Sequence, residues 1–311
     1  MRPIGYSRGM EVAARTEGAT SRAPRPSYAT LPKLRTPPAT IFEYLATRFP
    51  RVGGTVWARR FARGLVTDDS GTVLEPGGPY RPGLRLRYFR EVEDEPRIPF
   101  DEEIVFRNDH LLVADKPHFL PVVPSGPYVN ECLLYRLQKS TGIEHLTPLH
   151  RLDRPAAGLV LFSADPGSRG EYHRLFDEHR LHREYRAVAR AARCPEWKER
   201  RIENRIVRGE PWFRMRTAEG TPNAATRVVL DDWRDGRAYL RLFPESGKKH
   251  QLRLHLAGIG LPIEGDRLYP ELQPQAPPDF DRPLRLLAYR LRFRNPSSGE
   301  ELDLRSRRAW P

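Results

Sequence analysis

The chain contains 311 residues, of which 39% are hydrophobic and 30% are charged, and it carries a formal net charge of +13. The length favours two domains, and the excess of cations favours a polyanionic partner, with nucleic acid ahead of an anionic membrane surface. We expect a cytosolic protein with no membrane partner, because the sequence has no membrane-spanning apolar run, no signal-peptide core near its start, and two cysteines that fit neither a disulfide framework nor a Cys-x-x-Cys metal site.

Residues 1–38 have no sustained hydrophobic periodicity. They contain many Lys and Arg residues and few acidic ones, and Ser, Thr and Pro fill much of the rest. This composition predicts a disordered basic arm. An organelle transit peptide has a similar composition and is the alternative, although the segment lacks a clear amphipathic pattern.

Ordered structure is predicted to begin at Thr40, because Thr40 and Glu43 form a capping box ahead of apolar residues at helical spacing. A second helix is predicted over residues 55–63, where the following glycine is a stop signal. A turn at residues 69–71 and an alternating strand at residues 84–88 then indicate a β-hairpin.

Two small helices followed by a hairpin resemble the alpha-L RNA-binding module that is named after a small-subunit ribosomal protein. The resemblance implies that residues 39–95 bind RNA. The second helix carries three arginines that would make the contacts, Arg59, Arg60 and Arg63. A structural cap is the alternative interpretation. The acidic, Pro-containing residues 91–99 are predicted to link this module to a second domain over residues 96–311.

The second domain opens with apolar strands at residues 104–106 and 111–114, and the second of these leads into Asp115-Lys116-Pro117. Asn130 is predicted to cap a helix that carries leucines on one face and ends before Gly142.

Residues 150–162 combine a charged loop with a continuous apolar run. The loop contains His150, Arg151, Asp153 and Arg154, and a glycine, Gly158, stands where the apolar run begins. The run predicts a buried strand, and the glycine predicts a turn or a close backbone approach. A rigid scaffold would therefore present a carboxylate that is flanked by cations. The alternative is a solvated turn with weak local ion pairs.

Asp165 and Pro166 predict the start of the next helix, which ends near His179, and residues 183–189 alternate as a strand that carries Tyr185. Residues 191–224 are predicted to be irregular.

Residues 191–224 are also rich in Arg and Trp, among them Trp212, which suits RNA stacking and phosphate contact as well as an ordinary loop insertion. The segments 225–230 and 238–243 then form a predicted hairpin.

A second dense motif, residues 245–256, predicts a strand, a turn and a helix. Its polar members are Lys248, Lys249, His250, Gln251, Arg253 and His255, and Gly265-Asp266 and Tyr269 follow later. His250 and His255 are five positions apart and would lie on different faces of a helix. We therefore predict that these histidines, with His150 and Asp153, do not bind a metal. The last predicted strand, within residues 284–296, contains Leu286.

Residues 150–162, the strand around Tyr185 and the 245–269 segment resemble, in the same order, the motifs of RluA-type pseudouridine synthases. The chain departs from the family pattern at Pro155 and Ala156, at Lys248-Lys249 in place of Arg-Thr, and at Leu287 in place of His. The resemblance implies that Asp153 is the catalytic carboxylate, that Arg253 pairs with it and that Tyr185 lies against the target base. It further implies RNA contacts by His150, Arg151, Arg154, Lys248, Lys249, His250, Gln251 and Leu286.

The implied fold is α+β, with a central, largely antiparallel mixed sheet and a small N-terminal α+β RNA-binding module. The implied activity is the isomerisation of specific uridines to pseudouridine in structured RNA, either tRNA or large-subunit rRNA, by a monomer without a cofactor. The carboxylate would act as a nucleophile at the sugar or base, or as a base at the sugar 2′ position. A non-catalytic RNA-binding protein on the same fold is one alternative. The other is a glycosidic hydrolase, which normally needs a second carboxylate, and none stands out.

Overall fold

The structure is a computed structural model that describes residues 20–50 and 52–311. The described chain divides into two compact units. The first contains the residues up to Pro96 together with Ser125–Asn130, and the second contains Arg97–Pro124 and Glu131–Pro311. Within the described residues, no helix has both the length and the apolar character needed to cross a membrane.

The first unit contains two short helices and five short strands. In chain order they are β1 Thr20–Arg22, β2 Ser27–Thr30, α1 Ile41–Arg48, α2 Gly54–Ala62, β3 Val66–Asp68, β4 Arg85–Tyr88 and β5 Glu91–Glu93. Strands β2, β4 and β3 form one antiparallel sheet, and β1 pairs with β5. The capping box predicted for α1 is confirmed, since the Thr40 hydroxyl accepts from the Glu43 amide and the Glu43 carboxylate accepts from the Thr40 amide.

Two predictions for this part of the chain are wrong. Residues 20–38 are not disordered, because β1 and β2 pair with distant strands and Leu31 is buried in the core of the unit; the rest of the predicted arm lies outside the described residues. The predicted linker begins inside a strand, β5, whose Glu91 and Glu93 form ion pairs with α2. Its acidic character therefore serves to balance the arginines of that helix.

The second unit is built on an 11-stranded sheet. Its elements are β6 Glu103–Arg107, β7 Leu111–Lys116, α3 Leu133–Thr141, β8 Thr147–Pro148, β9 Ala157–Ser163, α4 Arg169–Asp177, β10 His182–Arg190, β11 Glu199–Arg208, β12 Met215–Ala218, β13 Ala224–Arg234, β14 Arg237–Pro244, α5 Gln251–Gly258, β15 Leu286–Arg294 and β16 Glu301–Arg305. The strand order is β12-β11-β13-β14-β10-β15-β9-β7-β6, with β16 on β15 and β8 on β9. Among the described strands of this sheet, β9 and β15 pair in parallel and the other pairs are antiparallel. The predicted α+β class with a largely antiparallel mixed sheet is confirmed.

The segment predicted to be irregular over residues 191–224 contains two strands, β11 and β12, which extend the sheet. The helix predicted from Asp165 begins later, at Arg169. The Asp165 carboxylate instead accepts from the amides of Gly167 and Ser168 and stabilises a turn ahead of the helix.

The close backbone approach predicted at Gly158 occurs where β9 meets β15. Gly158 has φ of 113°, and a side-chain carbon at this position would lie 2.3 Å from the carbonyl oxygen of Ala288. Only glycine fits here, since both the conformation and the space exclude a side chain. This contact fixes the start of β9 between β15 and β7 in the sheet, directly after the loop that carries Asp153.

Candidate active site

Asp153 and Arg253 form an ion pair across 100 positions of the sequence. The loop between β8 and β9 supplies Asp153, and the first turn of α5 supplies Arg253. The Arg253 Nη1 donates to Asp153 Oδ2 at 2.8 Å. The Arg253 side chain is 4% exposed and that of Asp153 is 26% exposed, so the guanidinium lies beneath a carboxylate that solvent reaches.

A second carboxylate, Asp266, orients Arg253. It binds the guanidinium at two points, with Nε to Oδ2 at 2.8 Å and Nη2 to Oδ1 at 2.7 Å, and its side chain is 1% exposed. The amides of Leu268 and Tyr269 also donate to Asp266 Oδ1. Such a two-point contact fixes the plane of a guanidinium. The sequence motif contained Asp266, but its role was missed.

The environment of Asp153 favours its ionised form. Burial raises the pKa of this carboxyl, but the charge of Arg253, the charges of His250 and Lys249 and the hydrogen bond from Arg253 together lower it below its usual value. His250 contributes only when it is protonated, and burial lowers the pKa of His250 to about 4. Near neutral pH, Arg253 is therefore the main partner that keeps Asp153 ionised.

His250 lies between Asp153 and Tyr269. Its Nε2 is 3.8 Å from Asp153 Oδ1, and its Nδ1 is 3.0 Å from the Tyr269 hydroxyl. The residue has φ of 56°, in the left-handed region that non-glycine residues rarely adopt. This conformation at the start of α5 directs the imidazole toward the carboxylate loop.

Tyr185 lies on β10, at a point where its pairing with β15 shifts register. The ring packs against the apolar cluster formed by β10, β13, β14 and α5. Burial raises the pKa of Tyr185; Arg183 opposes this change and Asp153 adds to it. The phenol of Tyr185 is therefore neutral near pH 7.

The backbone of the Asp153 loop is held by Lys116, the last residue of β7. Its fully buried ammonium donates to the carbonyls of Pro117 and Leu120 at 2.9 and 2.8 Å and to those of Arg154 and Ala156 in the loop. Burial lowers the pKa of Lys116 well below its usual value, and Arg308 adds to this effect. The four carbonyl oxygens favour the charged form.

His118 also supports the loop. Its Nδ1 lies 2.7 Å from the Pro155 carbonyl, which can only accept, so Nδ1 carries the hydrogen. Burial lowers the pKa of His118 to about 4, and the ring is neutral near pH 7.

Of the residues near the site that were predicted to contact RNA, His250 is largely buried between Asp153 and Tyr269, and the others fall into two groups. Arg151, Arg154, Lys248 and Lys249 are exposed beside the Asp153 and α5 segments, as an RNA-contacting role requires.

The other group faces the protein interior. His150 accepts from the Leu161 amide and packs on Phe176, and burial lowers its pKa to about 3. Gln251 is buried and binds Ala225, Thr226, Ser246 and Lys248. The predicted RNA contact is wrong for Gln251, because its amide already joins β13 to the turn before α5. The buried Leu286 belongs to the apolar cluster beside Tyr185.

In the first unit, the three predicted RNA-binding arginines of α2 have protein partners. Arg60 is 5% exposed and lies over the rings of Trp57 and Tyr88. Its predicted RNA contact is therefore wrong. Arg59 pairs with Glu93 and Arg63 pairs with Glu91, so β5 neutralises both charges.

The histidines and carboxylates of the site are used in hydrogen bonds and ion pairs. His255 is buried, and its two ring nitrogens contact Thr226 Oγ1 at 2.9 Å and Asn204 Oδ1 at 3.0 Å. Across residues 20–50 and 52–311, no group of three or more His, Cys, Asp or Glu side chains is arranged to hold a metal ion.

The family model for RNA pseudouridylate synthase matches residues 110–258. A protein of Synechocystis sp. that is named an uncharacterized RNA pseudouridine synthase is 30% identical over 235 residues, which are 74% of this chain and 79% of that protein. The dual-specificity RNA pseudouridine synthase RluA of Pasteurella multocida is 30% identical over 65% of this chain and 90% of its own length. The ribosomal large subunit pseudouridine synthase D of Haemophilus influenzae is 28% identical over 71% of this chain and 72% of its own length.

Among solved structures, human RNA pseudouridylate synthase domain containing 1 matches with a TM-score of 0.55 and 24% identity, over 67% of this chain and 84% of that one. This likeness supports the fold. The family model covers the segments that carry Asp153, Tyr185 and Arg253. The chain belongs to the RNA pseudouridylate synthase family and is an RluA-type RNA pseudouridine synthase, an isomerase of uridine in RNA.

Proposed function

We propose that Asp153 is the catalytic carboxylate and that the substrate is a specific uridine in structured RNA, either tRNA or large-subunit rRNA. The chain of contacts from Asp266 through Arg253 to Asp153 carries this proposal, because it delivers an ionised, oriented carboxylate to a solvent-accessible position. Relatives named for large-subunit rRNA and for tRNA support the two substrate classes.

The reaction breaks the bond between the sugar and base nitrogen 1, and it forms a bond between the same sugar carbon and base carbon 5. Carbon 5 loses a proton and nitrogen 1 gains one, so the change needs no redox cofactor. An ionised Asp153 can attack the sugar or the base, or can remove the sugar 2′ proton. Each route needs the carboxylate deprotonated, which Arg253 favours.

Tyr185 is proposed to contact the target base. A neutral phenol ring can stack on a base that has left its helix, and its hydroxyl can donate or accept a hydrogen bond. Because burial raises the pKa of Tyr185, its phenolate is scarce near neutral pH. The ring, rather than a standing negative charge, is therefore its main contribution.

Phosphate contacts near the site are assigned to Arg151, Arg154, Lys248 and Lys249, whose side chains are exposed. His150, Gln251 and Leu286 hold the loops and core that support these residues. Asp153, Arg253 and Asp266 contact one another within one chain, so the site needs no residue from a second copy. We therefore assign a monomer. We assign the reaction to the cytoplasm, where tRNA and rRNA occur.

We further propose that the first unit binds RNA through the outer face of the β2-β4-β3 sheet. Tyr28 lies opposite Arg87 on this face, and Thr30 lies opposite Arg85. Tyr28 is 50% exposed, and the Arg85 guanidinium lies 4.3 Å from its ring centroid. An arginine beside an exposed aromatic ring suits contact with single-stranded RNA.

Pseudouridine mapping of tRNA and rRNA, with and without this gene, tests the proposed function. We expect at least one uridine in structured RNA to lose its modification in the deletion strain and to regain it with the wild-type gene. Complementation with Asp153→Asn should leave that uridine unmodified. A protein that binds the RNA, while the deletion changes no uridine, would favour the non-catalytic alternative.

A further inference from the structure

The tip of the β11–β12 hairpin contains Trp212, which lies beside Lys249 in the segment that leads into α5. Trp212 is 49% exposed, and the Lys249 Nζ lies 5.9 Å from its ring centroid. Lys249 precedes His250, whose Nε2 is 3.8 Å from Asp153 Oδ1, and the charge of Lys249 acts on that carboxylate. Lys249 and His250 therefore lie between the ring of Trp212 and the carboxylate of Asp153.

The hairpin tip is held in place on two sides. Within the tip, the Gly209 amide donates to the Arg214 carbonyl at 3.0 Å, and the Arg214 amide donates to the Pro211 carbonyl at 2.8 Å. Outside it, the Tyr269 hydroxyl accepts from the Met215 amide at 2.7 Å.

Two cations complete the attachment of the tip. Lys249 Nζ donates to the Phe213 carbonyl at 2.9 Å, and the Arg214 guanidinium lies 5.1 Å from the ring centroid of Tyr269. A side chain on this tip is thus pre-positioned, which reduces the entropy that binding would cost.

A single exposed tryptophan is ordinary on a protein surface. Trp212 differs from the other half-exposed tryptophan, Trp233, in its surroundings. Trp233 is 37% exposed, follows Asp232 on β13, and its indole nitrogen donates to the Ala191 carbonyl. Trp212 instead lies beside a cation at the active-site segment, and this combination suits a base together with its phosphate.

We propose that Trp212 stacks on an unpaired base of the nucleotide next to the target uridine, and that Lys249 binds the phosphate that joins the two nucleotides. The Phe213 carbonyl uses one of the three N–H donors of a lysine ammonium, so Lys249 can hold the tip and a phosphate together. The inference rests on the proposed structured-RNA substrate. It predicts that an unpaired neighbour is part of what this enzyme recognises.

The first test measures tritium release from total RNA that is labelled with 5-tritiated uridine in a strain lacking the gene. We expect Trp212→Ala to raise the half-saturating RNA concentration about 5- to 150-fold, the range for loss of one stacked base. The maximal rate should be retained, because Trp212 does not touch the reacting atoms. Trp212→Phe should keep most of the affinity, and Trp212→Leu should behave like the Ala variant.

Trp233→Ala is the matched control and should leave both quantities unchanged. Equal behaviour of the Trp212→Ala and Trp233→Ala variants would overturn the proposal, as would a Trp212→Leu variant that binds like wild type. A lower maximal rate with an unchanged half-saturating concentration would also overturn it, since that result indicates a positioning role. If the wild-type protein releases no tritium, the proposed function fails, and filter binding of the same RNA to the same variants still decides the role of Trp212.

A second test locates the base. In the stem-loop that contains the mapped uridine, an abasic ribose is placed at each neighbouring position in turn. An abasic ribose at one of these positions should lower the affinity of the wild-type protein. The factor should be about the same as that by which Trp212→Ala lowers the affinity for intact RNA. An abasic ribose at that same position should lower the affinity of the Trp212→Ala protein only slightly further. Fully additive losses at every position would show that Trp212 stacks on none of these bases.

Discussion

Asp266→Asn tests whether the orientation of Arg253 controls the catalytic carboxylate. In the native site, Asp266 Oδ1 accepts from Arg253 Nη2 and from the amides of Leu268 and Tyr269, and Oδ2 accepts from Arg253 Nε. An asparagine that keeps its oxygen at the Oδ1 position retains three of these bonds. Its amide group then faces Nε, so one charge-assisted bond is replaced by two opposed donors.

A hydrogen bond to a charged group contributes about 1.5–3 kcal/mol, and the free energy of unfolding should fall by that amount. The effect on rate should be larger than this stability loss explains. Arg253 would lose one arm of its two-point contact, and a displacement on the order of 1 Å in a catalytic array costs about 100-fold in rate. We therefore expect a folded variant with about 100-fold slower isomerisation.

The assay is single-turnover tritium release at saturating RNA, with urea unfolding of the same preparation. Glu264→Gln is the matched control, because it weakens a carboxylate–arginine contact with Arg237 and Arg285 that does not include Arg253. The control should lose some stability and keep its rate. An Asp266→Asn variant that loses stability but isomerises uridine at the wild-type rate would refute the positioning role.

Four further predictions concern the site and the RNA-binding face. Asp153→Asn should abolish pseudouridine formation and leave RNA affinity nearly unchanged, as filter binding would measure. Arg253→Lys should restore little activity, because lysine lacks the planar fork; Arg253→Met should raise the pKa of Asp153 and move the acid limb of the pH–rate profile to higher pH. Tyr185→Phe should keep RNA binding and glycosidic cleavage, while isotope release from base carbon 5 drops if the hydroxyl assists there. Arg85→Ala should make the slope of log affinity against log salt shallower by roughly 0.7–0.9, because the contact of Arg85 with Asp69 is long, at 3.8 Å, and leaves the guanidinium able to bind phosphate. Arg59 is similarly exposed but donates a hydrogen bond to Glu93, and Arg59→Ala should leave the slope unchanged.

Of the helix signals that depend on local chemistry, those of α1 and α2 were predicted well, whereas the caps predicted at Asn130 and Asp165 are wrong, since α3 follows Cys132 and α4 follows Ser168. The Thr40 capping box begins α1, and α2 spans Gly54–Ala62 against a predicted 55–63. The burial of Arg60 could also have been found by spacing, since Trp57, Arg60 and Phe61 fall at i, i+3 and i+4 on one face. Because of its positive charge, Arg60 was predicted to lie at the surface. The rings of Trp57 and Tyr88 instead stabilise its guanidinium in a buried position through cation–π contacts.

Strand β11 was missed because its inward face includes a polar residue. Ile202, Asn204 and Ile206 occupy alternate positions, which is strand periodicity, but the asparagine interrupts the apolar pattern. Asn204 is polar there because its Oδ1 accepts a hydrogen bond from Nε2 of the buried His255 on α5. The polar residue on β11 and the buried histidine on α5 are thus hydrogen-bond partners, and neither sequence segment predicts this contact alone.

The Asp153–Arg253 pair was predicted from family resemblance, because no local spacing relates residues 100 positions apart. Asp266 lay within a motif segment but lacked any periodic signal that would link it to Arg253. Strands β1 and β2 were missed for a similar reason, since each is short and is ordered by a partner far along the chain. Local propensity cannot identify elements of this kind.

The position of Asp153 depends on two buried cations that act on different parts of its loop. Arg253 binds the carboxylate, and Lys116 binds the carbonyls of Arg154 and Ala156 just beyond it. The side chain and the backbone are therefore fixed independently, one from α5 and one from the end of β7. Asp266 balances Arg253, and the charges of Asp153 and, to a smaller extent, Asp115 raise the pKa of Lys116 that burial lowers. A loop held in this way can meet RNA without moving its carboxylate, because the groups that orient Asp153 are already paired before substrate arrives.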